Sequence, residues 1–109
     1  MEKTIQDCIV QCQQCVAACN ECAIACLHEE DVAHLKTCIS LDMECAAICN
    51  TAAIVMSMNG TMMKKLCAVC ADICEQCTAE CSKHKHMEHC ARCAKVCASC
   101  AAACKKMAA

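Results

Sequence analysis

The nineteen cysteines of this 109-residue chain fall on a register that steps by three and four. The first run is Cys8, Cys12, Cys15, Cys19, Cys22 and Cys26. Two later runs are Cys67, Cys70, Cys74, Cys77, Cys81 and Cys90, Cys93, Cys97, Cys100, Cys104. A sparser set, Cys38, Cys45 and Cys49, lies between them. Alternation of three and four marks the seam that a helix turns toward its neighbours in a bundle. Between the cysteines stand Gln13, Gln14, Asn20, Glu21, Asp72, Glu75, Gln76, Glu80, Arg92 and Lys95, which are residues of a solvated face. The thiols therefore point inward.

Breaks in the pattern are few, since the chain has no Pro and one Gly. They fall at 27–31, at the Asn59-Gly60 turn, and at the polar stretch 82–86. Asp31 and Thr61 are expected as helix caps. The spacing predicts helices over about 3–27, 31–57, 61–82 and 86–106. Short connections make neighbours antiparallel. The expected fold is all-α: one domain over 1–109, an up-down-up-down four-helix bundle with a Cys-lined core.

Such a core is unusual in its chemistry. There is no Phe, Tyr or Trp, and Leu, Ile and Val together number 17. A bundle is ordinarily filled by large hydrocarbon side chains, so something else must contribute here. The net charge of -2 and scattered Lys give no basic face for nucleic acid. The polar start Met-Glu-Lys-Thr-Ile-Gln-Asp-Cys lacks a signal peptide's apolar stretch. No run of about 18 uncharged apolar residues suggests a membrane span. The expected location is the cytoplasm, where thiols stay reduced, and the odd cysteine count also argues against a disulfide framework. Inert thiol packing would explain one or two such residues, not stripes on three helices.

Thiols at i and i+4 stand one above the other, with Cβ atoms about 5–6 Å apart. Two metal–sulfur bonds of roughly 2.3 Å can bridge them. Eight such pairs can be drawn: 8/12, 15/19, 22/26, 45/49, 70/74, 77/81, 93/97 and 100/104. Cys38, Cys67 and Cys90 remain for bonds across helices. Soft thiolates select Cu(I), Zn(II) or iron–sulfur clusters. Zinc and iron–sulfur sites want ligands converging on one point, whereas these thiols run in lines along rods. That favours Cu(I), which accepts two or three ligands, at on the order of one ion per cysteine or roughly 20 per chain.

The topology also gives the tube two unlike ends. His28, His34, His84, His86 and His89 flank the first and third connections, at one mouth. Met56, Met58, Met62, Met63 and Met107 gather at the other end with Ile5, where they read first as a hydrophobic plug. Carrying the fourth seam back from Cys90 reaches His86. The second seam, 38-42-45-49-52-56, places Asp42 inward unless Leu41 takes that place. His86, His89 and Asp42 are thus candidate metal ligands near the mouth, with His34 a further possibility. The alternative leaves the histidines as polar loop residues in water.

The full cysteine pattern, the Leu41-Asp42-x-Glu44-Cys45-Ala46-x2-Cys49 segment, Cys67-Ala68-x-Cys70-Ala71-Asp72-x-Cys74-Glu75-x-Cys77, and His86-x2-His89-Cys90-x2-Cys93-Ala94-x2-Cys97 resemble the bacterial copper storage proteins, cytosolic branch. The resemblance spans essentially the whole chain. It implies a four-helix bundle, Cu(I) held chiefly by cysteine pairs, and a homotetramer. It puts the metal role on the matching cysteines, and with less force on His86, His89 and Asp42. Copper chaperones or small thiols would then load and unload the protein. Two competing readings are a zinc or cadmium buffer like metallothionein, and a thiol oxidoreductase. The second needs one singled-out reactive Cys-x2-Cys, which is not evident, so no enzyme activity is expected.

Overall fold

In a computed structural model that describes residues 2–109, the chain forms four long α-helices: α1 (Lys3–Leu27), α2 (Lys36–Ser57), α3 (Met63–Ser82) and α4 (Glu88–Ala108). Each packs on two neighbours, in the ring α1-α2-α3-α4. The result is a narrow rod of 44 × 17 × 17 Å, as expected for helices rising 1.5 Å per residue.

All nineteen cysteines are buried, as their spacing predicts. The remaining interior is small: Ala18, Ala23, Ala46, Ala52, Ala53, Ala71, Ala94 and Ala101 line the helix contacts. Leu35 covers one end of the core, and Ile5, Met56 and Met107 cover the other. Small interface residues let the backbones approach, so thiols from facing helices meet at the axis.

Helix starts differ from expectation. A short 3₁₀ turn, Val32–Leu35, follows Asp31 and delays α2 to Lys36. Thr61 lies in the turn before Met63. Neither side chain caps a helix; the residues at the N-cap positions of α2 and α3 are Leu35 and Met62. The start of α4 moves to Glu88 because residues 83–87 are consumed in turns, with Met87 N–H donating to the His84 carbonyl at 3.0 Å.

The α2 exit explains the Asn59-Gly60 pair. Asn59 is left-handed at φ 51°, and Gly60 N–H donates to the Val55 carbonyl at 3.0 Å. This is the six-to-one bond of a Schellman end, with Asn in the left-handed place. Gly60 is needed for closeness: a Cβ there would lie 2.7 Å from Val55 Cγ1.

The segment Val32–Ser57 is long and apolar enough to cross a membrane, with mean hydropathy 1.5. It is not an uncharged run, because Lys36, Asp42 and Glu44 fall within it. Much of its apolarity has a use within the bundle, because Cys38, Cys45, Cys49, Ala52, Ala53 and Met56 face the core.

Candidate metal centre

The intrahelical thiol pairs form as the four-residue step requires. Sulfurs of 15/19, 22/26, 45/49, 70/74, 77/81, 93/97 and 100/104 lie 3.8–4.0 Å apart. The pair 8/12 is joined differently, through Cys104, which is 3.8 Å from Cys8 and 3.7 Å from Cys12.

Several contacts across helices are shorter still. Cys49–Cys70 is 3.4 Å, Cys38–Cys81 3.5 Å, and Cys97 lies 3.6 Å from both Cys15 and Cys19. Cys90 reaches Cys26 at 3.7 Å. Periodicity along one helix could not reveal this, because cross-helix distance depends on how closely the backbones pack.

The thiols also converge, contrary to the expectation of parallel lines. Cys12, Cys49, Cys70 and Cys100 have sulfurs within 4.8 Å of one another, one from each helix. Cys15, Cys49, Cys74 and Cys100 form a second such group, sharing two members with the first. Further quartets are Cys15, Cys19, Cys45, Cys97; Cys19, Cys77, Cys93, Cys97; and Cys22, Cys26, Cys38, Cys90. Shared corners mean that a thiolate in one site is also a ligand of the next. The donor set suits a chain of soft ions joined by bridging sulfur better than separate mononuclear sites.

Asp42, not Leu41, faces inward and is fully buried. Its Oδ1 accepts from Cys77 at 3.1 Å, Cys93 at 3.4 Å and Cys81 at 3.7 Å, and Cys38 lies 4.0 Å from Oδ2. Burial, then the nearby Cys93 and Cys77 thiols, pushes its carboxyl up to about 10, since a charge is costly in a dry interior. Burial likewise pushes the Cys26 thiol up to about 11 and raises Cys90. Burial thus favours the protonated form of these three groups.

The histidines gather at one end as the topology predicts. Glu29, Asp31, His34, Leu35, His84, His86 and Met87 line a cavity of about 290 Å³. His86 is exposed; it does not continue the α4 seam, because that helix begins two residues later. His89 is largely covered, with its Nε2 lacking a hydrogen-bond partner and lying 3.9 Å from Glu29 Oε2. His84 Nε2 sits 3.1 Å from Glu80 Oε2. The carboxylates Glu29 and Glu80 are additions to the expected mouth. Their signal was position: 29 lies in the first connection, and 80 is one turn before His84.

A family model described as copper storage protein matches residues 1–109. The chain belongs to the copper storage protein family. A curated relative, the uncharacterized cysteine-rich protein YhjQ of Bacillus subtilis (strain 168), is 50% identical over 86 residues, 79% of this chain and 80% of its own. Among solved structures, Cu(I)-bound copper storage protein BsCsp3 is 48% identical with TM-score 0.93, covering 98% of this chain and 100% of that one. A cytosolic copper storage protein from Streptomyces lividans, in a copper-loading structure with five coppers, is 39% identical with TM-score 0.92, covering 97% and 92%. Both are copper storage proteins by description. The four-helix fold and cysteine-rich core expected from the spacing are those of the family.

Proposed function

We propose that this chain stores Cu(I) in the cytosol, at on the order of one ion per cysteine. One observation carries the reading: nineteen buried thiols form a continuous sulfur network, with quartets that share corners. The proposed ligands are all nineteen cysteines, with Asp42, His86 and His89 as further donors toward the mouth. Family membership and the copper bound by the relatives support the choice of ion.

Charge also separates Cu(I) from the alternative. A quartet geometry admits a tetrahedral Zn(II) or Cd(II), so a divalent buffer is the second reading. Four thiolates around one dication leave a net charge of minus two, buried in a medium where unpaired charge is costly. One Cu(I) per thiolate exchanges a monovalent cation for a proton and leaves the core neutral. Loading should accordingly release about one proton per bound ion.

The test is anaerobic titration of the reduced protein with Cu(I), followed by metal analysis after gel filtration. Saturation near the cysteine count is expected; one to four ions per chain would overturn the storage reading. Tighter retention of Zn(II) than Cu(I) would favour the buffer. We further propose a homotetramer, with small thiols or copper chaperones as donors and acceptors. Exposed Val10, Ile24, Met43 and Ile54 supply apolar surface for subunit contact. Sedimentation should then report four copies of the 11.7 kDa chain.

A further inference from the structure

We propose that the Met56 thioether is a copper ligand, closing the thiol column at the end opposite the histidines together with Cys67. This rests on the storage reading and adds a residue to it. Met56 is the largest fully buried side chain. Cys67 donates its S–H to Met56 Sδ at 3.6 Å. The shortest sulfur hydrogen bond of Cys67 is this one to Met56. Cys67 has no i/i+4 thiol partner on its own helix, because the positions four residues away on either side are Met63 and Ala71.

The surrounding layer is sulfur from all four helices. Cys67 faces Cys104 and Cys8, and those two sulfurs are 3.8 Å apart. At this level α2 has passed its last cysteine, with Ala52 and then Met56 on its core face. Met56 thus supplies from α2 the sulfur that Cys8, Cys67 and Cys104 supply from α1, α3 and α4. A thioether is a soft, uncharged donor that suits Cu(I). It adds no proton to displace and no charge to bury. The hydrophobic closing of this end falls to other side chains: Ile5 and Met107 retain a little exposure, and Met63 is only half-buried.

The test uses selenomethionine-labelled full-length protein in which the exposed Met43, Met58 and Met62 are replaced by leucine. It is loaded anaerobically with Cu(I), and copper is counted before selenium-edge X-ray absorption is recorded. A selenium–copper scattering path is expected, absent after the volume-conserving Met56→Leu, with capacity lower by about one ion. Cys67→Ala, which keeps Met56, should abolish the same path. Normal copper content with no selenium–copper path, or a path that survives Met56→Leu, overturns this assignment alone and leaves Met56 a plug. Failure of the labelled protein to take up copper overturns the storage reading and this inference with it.

Discussion

Asp42 is the one buried carboxylate in a core of thiols, and its protonation couples folding to pH. Its carboxyl is raised from 3.8 to about 10 in the folded chain. A raised acid favours the protonated native state, so its contribution to stability is complete below about pH 4. It is lost progressively as pH rises toward 10. The metal-free protein should therefore weaken between pH 5 and pH 9, and Asp42→Asn should remove much of that decline, on the order of a few kcal/mol. Anaerobic urea unfolding at several pH values checks this; parallel slopes for the two proteins would refute it. Copper should reverse the sign for this group. A cation nearby favours carboxylate, so Asp42 is expected to release its proton on loading. Infrared difference spectra of the wild type against Asp42→Asn would detect that release as loss of a protonated-carboxyl band.

At the scale of the element, the α2 exit is the most sharply determined turn. Asn59 holds a left-handed conformation that glycine adopts at lower cost, so Asn59→Gly should stabilise the metal-free fold by about 0.5–1 kcal/mol. Gly60→Ala should destabilise it by roughly 1–3 kcal/mol, because the new methyl would meet a stiff β-branched Val55. Thermal melts resolve both, at about 4–8 °C per kcal/mol for a domain near this size. Equal melting points would disprove the close-approach argument. The helices and their inward faces were legible in the sequence because the period of the cysteines is that of the helix. Asp42 was legible for the same reason, lying four residues from Cys38 and three from Cys45. Helix starts were less so. Asp31 has the chemistry of a cap, but a 3₁₀ turn intervenes, and no local pattern announced it. His86 was misplaced because a seam was carried past the point where α4 begins. The quartets were not legible, because convergence depends on how far apart four helices stand at the axis.

The whole molecule is a preformed container. Its helices bury thiol and alanine faces against one another without metal, so helical circular dichroism should be strong in the reduced, copper-free protein. Loading should change that spectrum little while raising the Tm, as binding to the native state requires. An unstructured metal-free chain that folds on adding copper would refute the container. The closeness of the sulfurs, 3.4 Å at Cys49–Cys70, has a cost in air. A disulfide needs about 2.0 Å, and a small movement of one helix would bring such neighbours within reach of an oxidant. The empty tube thus carries its own crosslinking partners, and an odd number of them, so oxidation could not finish cleanly within one chain. A filled tube has its sulfur lone pairs engaged by metal. Aerobic shelf life should accordingly lengthen with copper content, and the cell must keep the emptied protein reduced if it is to be filled again.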